Sequence, residues 1–325
     1  MKQQKLVIVA LATLCNALAA LDAHASCGAA FCAINTNWDA HGAWSEPGLR
    51  LDLRYESIRQ TRLQEGRRKV AVGEVPRDHD EVETKNQNWV AGLDYTVDAD
   101  WGINVALPVV KRHHLHLAND PVTGEQTPET WDFAELGDAR VLARRRLKTF
   151  ESADHSLGVA GMDFGLKLPT GRYDMRNAAG ERAERTLQPG TGTTDALLGA
   201  YFSRLLPMKD LSWFAQGLLQ QALNSRESYR PGRRVSLDAG LRYDASERVG
   251  LLLQVNALYR GRDSGANAEP EDSGGKSLFL SPGVSVGLTK DTRAYGFLQL
   301  PLYQYVNGVQ LVASRALIIG LSSRF

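Results

Sequence analysis

The sequence of 325 residues carries 38 basic and 37 acidic side chains, a net charge of +1 and a mean hydropathy of −0.29. So even a balance excludes the electrostatic footprint of a nucleic-acid binder. Beyond residue 25, no stretch approaches the ~18 apolar residues that a spanning helix needs. A soluble protein and a transmembrane barrel fit this composition equally, because every strand of such a barrel is half polar.

The chain opens Met1-Lys2-Gln3-Gln4-Lys5, runs apolar from Leu6 to Leu21 and reaches Ala23-His24-Ala25. A basic start, an apolar run and a small-x-small site predict a secretory signal over residues 1–25, against the competing reading of a buried N-terminal helix. Residues 26–43 are short, polar-aromatic and irregular, and read as a periplasmic lead-in. Of the three cysteines, Cys15 leaves with the signal. Cys27 and Cys32 remain, and export with close spacing predicts a small disulfide loop. Lipidation of Cys27 is the competing reading, disfavoured by His24. No His follows Cys32, so haem attachment is not indicated, and two cysteines alone make a weak metal site.

From residue 44 the chain alternates. Leu49, Leu51, Leu53 and Tyr55 face one way, and Arg50, Asp52, Arg54 and Glu56 the other. Lipid outside and water inside would select this pattern, although a soluble antiparallel sheet with one wet face shares it. A long polar segment from Ser57 to Asn86 precedes a strand with Trp89, Ala91, Leu93, Tyr95 and Val97 on its oily face. The turn Asp98-Ala99-Asp100 leads into a strand carrying Trp101, Ile103, Val105, Leu107 and Val109. A second polar segment runs from Arg112 to Leu136. Next come a basic strand near Asp138 to Leu147 and one with Phe164 and Leu166 outward.

A third loop, Thr170 to Thr193, is rich in Gly and charge. The strand around Trp213 to Leu223 is ambiguous in register. Val235, Leu237, Ala239, Leu241 and Tyr243 then alternate with Arg234, Ser236, Asp238, Gly240 and Arg242. Loops at Asn224–Arg233 and Gly261–Ser277 and a turn at Lys290-Asp291-Thr292 punctuate the rest, and Asn307-Gly308 is a good hairpin turn. About twelve strands are joined by alternately long and short connections. That sorting predicts an all-β, transmembrane antiparallel β-barrel over residues 44–325, with long extracellular loops and short periplasmic turns. Closure would remove the edges that so many amphipathic strands otherwise leave.

The last strand carries Ala313, Arg315, Leu317, Ile319, Leu321, Ser323 and Phe325 on one face. It resembles the C-terminal insertion signal of outer-membrane barrels, with Ser323 and Ile318 departing from it. The resemblance implies bacterial outer-membrane lipid, and the barrel-assembly machinery engaging the Phe325 strand, as partners. Trp89, Trp101, Tyr243 and Tyr259 near strand ends suit the membrane interfaces.

His113, His114 and His116 cluster at the start of the second polar segment, with Asp120 or His79 as distant candidates for a further metal ligand. A solvated polar loop is the expected reading, as it is for Asp78, Asp80, Glu81 and Glu83, which lack calcium-loop spacing. His155-Ser156 falls in a turn without a third catalytic partner. No catalytic residue, metal site or cofactor is therefore expected, since phosphate loops, dinucleotide fingerprints and zinc-protease helices are also missing from the sequence. The more informative set lies on the predicted lumen face: Arg50, Arg54, Arg140, Arg144, Arg146, Asp163, Lys167, Asp238, Arg242 and Arg260. These residues either brace the barrel as a charge network or line a solute path. Leu142, Leu252, Leu258 and Phe279 on the same face predict a narrow, amphipathic interior.

Three stretches resemble the outer-membrane channel family named for the MetA pathway of phenol degradation. They are Leu136-Gly137-Asp138-Ala139-Arg140, Leu168-Pro169-Thr170-Gly171, and Leu187-Gln188-Pro189-Gly190-Thr191-Gly192-Thr193-Thr194-Asp195. The resemblance runs from about Trp131 to the C-terminus. It implies an outer-membrane barrel taking up small, often aromatic, compounds. The expectation is a non-enzymatic channel for small solutes, aromatic or anionic ones among them. The competing expectation is a structural or assembly barrel with a plugged lumen.

Overall fold

The computed structural model describes the backbone of Ser26 and Cys27, and residues 47–120, 122–151, 157–207 and 210–325 in full. The proposed signal, Cys32, most of the lead-in and His155-Ser156 lie outside the described residues.

Alternation at period two, rich in Leu, Val and aromatic residues, produces strands in the expected places. In chain order they are β1 (Ser26–Cys27), β2 (Gly48–Glu65), β3 (Arg68–Lys69), β4 (His79–Thr96), β5 (Trp101–Asn119), β6 (Gln126–Leu136), β7 (Arg140–Glu151) and β8 (Leu157–Lys167). They continue with β9 (Asp195–Leu205), β10 (Leu211–Ala222), β11 (Arg234–Asp244), β12 (Val249–Arg260), β13 (Gly275–Gly287), β14 (Thr292–Val306) and β15 (Val309–Arg324). β15 pairs antiparallel with β2, which closes the sheet into a barrel of 12 strands. In that tally β1 and β3 are short fragments, and β6 and β7 form one interrupted strand. β5 serves both, pairing with β6 from Val109 to Asn119 and with β7 from Trp101 to Ala106. The interruption lies beside Pro108, which has no N–H to offer a ladder; its carbonyl instead accepts from Gly137 N at 2.8 Å.

Side chains sort as the alternation predicts. Leu51, Leu53, Leu317, Ile319 and Leu321 stand exposed on the outer wall, whereas Arg50, Asp52, Glu56, Ile318 and Ser322 are buried inside. In the ambiguous strand, Phe214 points inward and is 1% exposed. Ile318, which departed from the terminal-strand signal, packs with Ile58, Leu252, Tyr295, Phe297 and Ala316 in an apolar cluster inside the barrel.

The first two polar segments differ from expectation. In sequence they read as loops, yet β2 continues to Glu65, β4 begins at His79, β5 reaches Asn119 and β6 begins at Gln126. Above the membrane both faces of a strand meet water or loops, so no alternation marks it, and cross-strand hydrogen bonds carry the ladder onward. The third loop folds inward. Its Ala183 and Leu187 are buried against Leu63, Trp131, Phe133 and Leu311 in a second apolar cluster.

The wall divides in one place. The β14–β15 ladder stops at Gln299↔Ala316, while β13 holds β14 up to Val306 and β2 holds β15 up to Val309. Side chains bridge the division: Gln304 Nε2 donates to Ala313 O at 3.0 Å, and Arg62 Nη2 donates to Gln304 Oε1 at 2.7 Å. Ser26 and Cys27 pair in parallel with Gln310 and Leu311, at the end of β15 away from Phe325.

Candidate functional site in the barrel lumen

All ten lumen residues singled out in the sequence lie on inward-facing strand positions, and most are engaged by neighbours. Arg50 pairs with Asp94 at 2.8 Å, Arg54 with Glu56 at 2.7 Å, and Arg242 with Asp244 at 2.9 Å. Arg260 meets Asp263 at 2.5 Å, and Asn256 Nδ2 donates to Asp238 Oδ1 at 2.7 Å. Asp263 also accepts from Tyr229 Oη at 2.9 Å; burial first, and then the Asp263 charge, push the Tyr229 hydroxyl up. Pairing of this kind offsets the cost of taking these charges out of water.

On β7 the basic residues part company. Arg144 Nε lies 3.1 Å from Asp163 Oδ1, and its guanidinium sits 5.4 Å from the Tyr201 ring centroid. Asp163 is fully buried and also accepts from Gln216 Nε2 at 2.6 Å. Among the described residues no carboxylate pairs with Arg140 or Arg146. Arg140 reaches Gln220 Oε1 at 3.4 Å, and Gln220 Nε2 donates in turn to Asp195. Half-buried Leu142, Leu218 and Leu258 share this interior, so it offers cationic and apolar surface together.

Asp138 stands two residues before Arg140, where a counter-charge for the β7 arginines would be expected. The structure gives it another part. Its carboxylate accepts from Lys167 Nζ at 2.7 Å, Thr191 N at 2.9 Å, Thr191 Oγ1 at 2.9 Å and Gly171 N at 3.1 Å. Lys167 also lies 3.4 Å from Asp195 and donates to Thr193 O at 2.8 Å. Asp138 thereby gathers all three stretches that carried the family resemblance. Contact is tight enough that a Cβ on Gly171 would stand 2.8 Å from Gly190 Cα, so glycine is required there. In sequence these stretches read as separate motifs. Their recurrence of Gly and Thr around lone acids was the only signal that they meet.

The histidines occupy strands and not a solvated loop. His114 is fully buried and His116 7% exposed. Register sets His116 opposite Glu81, and His79 Nε2 lies 2.9 Å from Glu184 Oε1 on the inward-folded segment. His113 faces outward and meets Asp132 at 2.8 Å.

No protein-family model matches the sequence, and a search of curated proteins found no match. Among solved structures, the COG4313 outer membrane channel from Pseudomonas putida F1 is similar at 12% identity and TM-score 0.65, over 90% of this chain and all of that one. The P. putida toluene transporter TodX matches with TM-score 0.41 and 8% identity, over 86% of this chain and 90% of that one. A Pseudomonas aeruginosa FadL homologue matches with TM-score 0.38 and 10% identity, over 90% of this chain and 93% of that one. Likeness at these identities speaks for the fold. With its closed wall, oily exterior and polar interior, the chain has the fold of a bacterial outer-membrane β-barrel.

Proposed function

We propose that the barrel conducts small solutes across the outer membrane, favouring anionic and amphipathic ones, aromatic compounds included. Arg140 carries this reading. It stands inside the barrel with an amide oxygen as its hydrogen-bond partner, so its charge is available to a passing anion. Asp195, Glu56 and Asp138 act on it only from a distance, and in a low-dielectric bore a cation without a carboxylate in direct contact attracts anions. Leu142, Leu218 and Leu258 beside the cationic wall would receive the apolar part of an amphipathic solute.

Arg144 reads as a brace because Asp163 and Tyr201 already hold it. The discriminating experiment is the reversal potential across a planar bilayer under a salt gradient, comparing wild type with Arg140→Gln. Wild type should favour anions, and Arg140→Gln should move the potential towards zero while the barrel stays folded. A zero-current wild-type barrel would instead favour the plugged reading, in which the inward-folded third loop seals the mouth. Uptake of benzoate-like and neutral aromatic solutes into liposomes would separate charge from apolar selection.

A further inference from the structure

The cluster around His79 is not explained by a solute path. His79 and Glu81 are two residues apart on β4 and so share one face; His116 lies directly opposite Glu81 on β5. Glu184 arrives from the inward-folded third loop. One ligand-capable atom from each of the four lies within 4.8 Å of the others, and three of the four residues are buried. The His79 and His116 rings are 4.6 Å apart between centroids. A ladder irregularity between Glu81 and Glu83 sets this register, and such irregularities commonly re-aim side chains at sites.

Two details separate this cluster from an ordinary buried ion-pair network. His116 Nε2 meets Glu129 Oε2 at 2.6 Å, whereas its buried Nδ1 has no hydrogen-bond partner. The carboxylate fixes the proton on Nε2 and leaves the Nδ1 lone pair for something else. A carboxylate behind a histidine is the usual second partner of a metal-bound imidazole. Glu81 lies between two histidines: His114 Nε2 is 3.4 Å from its Oε2, and His79 Nε2 is 3.7 Å from its Oε1.

We infer that His79, Glu81, His116 and Glu184 form a binding site for a divalent transition-metal ion. Two imidazoles with two carboxylates suit zinc and its first-row neighbours, and not calcium or magnesium, which want oxygen alone. Zinc–nitrogen and zinc–oxygen bonds of about 2.0–2.2 Å set tetrahedral ligand atoms about 3.4 Å apart, so the wider pairs, up to 4.8 Å apart, close by roughly an ångström while His79 and Glu184, at 2.9 Å, part slightly. Three ligands are supplied by the wall and one by the inserted segment. A bound ion therefore ties that segment to the wall at the mouth of the barrel.

The test uses the full chain folded in detergent, stripped with chelator and titrated with Zn²⁺ alone. One ion per chain should bind, and Co²⁺ should give a visible spectrum of mixed nitrogen and oxygen ligation. Affinity should fall at least tenfold in His116→Gln and Glu184→Gln, and roughly 10–100-fold in Glu129→Gln, whose carboxylate acts through His116. His113→Gln, outside the cluster, should bind as wild type. Zinc should also slow tryptic cleavage at Arg182 and Arg185, which flank Glu184 on the inserted segment. Glu184 lies on no strand, so Glu184→Gln decides the matter if His116→Gln does not fold, as judged by gel migration before and after boiling. Lack of saturable Zn²⁺ binding by the wild type, or undiminished binding by folded Glu184→Gln, would overturn the inference.

Discussion

The two sides of the barrel interior are built on different principles. On the wall from β12 to β15 and on to β2, Ile58, Leu252, Tyr295, Phe297 and Ile318 fill the space with apolar contact. On the wall from β7 to β9, Arg144, Asp163, Lys167 and Asp195 hold one another through charge. Apolar filling tolerates small losses gradually, since each methylene contributes a little. A desolvated ion pair behaves otherwise: removing one partner strands the other. The packed side is therefore the stiff support, and the charged side is where a single residue can change either stability or selectivity.

The largest expected effect tests the charged side. Asp138→Ala should leave Lys167 with Asp195 as its one close carboxylate and release Gly171 and Thr191, costing about 3 kcal/mol or more. Urea unfolding of the detergent-folded barrel should register it, and a loss near zero would mean the three stretches hold together without their acid. On the packed side, Phe297→Ala should cost about 3 kcal/mol or more through the cavity it leaves. Smaller again, Gly240→Ala puts a methyl where a Cβ would lie 2.5 Å from the Phe214 ring. Overpacking of that kind costs about 1–3 kcal/mol, readable as a lower temperature for loss of the folded gel band. The least effect on stability, about 0.5 kcal/mol or less, is expected for Arg140→Gln, which breaks no ion pair. Its signature should lie in the reversal potential alone. A strongly destabilised Arg140→Gln barrel would place Arg140 among the braces and erase the contrast between the walls.

Much of this architecture is written in the alternation of residues such as Leu237/Asp238 or Leu321/Ser322, because lipid on one side and lumen on the other leave a period of two. The pattern ends where the membrane ends, so Arg59 to Glu65 and His113 to Asn119 read as loop although they are strand. Lumen faces could likewise be read, but partners could not. Arg144 finds Asp163, and Arg140 finds Gln220, through strand register and the width of the bore, neither of which leaves a local trace. The same holds for Glu81 and His116, whose opposition depends on a ladder irregularity invisible in composition.

The half-length β14–β15 ladder has a mechanical consequence. β15 is bound to β2 along nearly its whole length but to β14 only as far as Ala316. A tether fixed at Phe325 and drawn away from the membrane would load both contacts, and the shorter one should yield first. Extraction would then begin as the paired release of the first and last strands, not as the peeling of β15 alone. In single-molecule pulling this gives a first step longer than one strand, and a disulfide stapling β14 to β15 near Gln299 and Ala316 should shorten it.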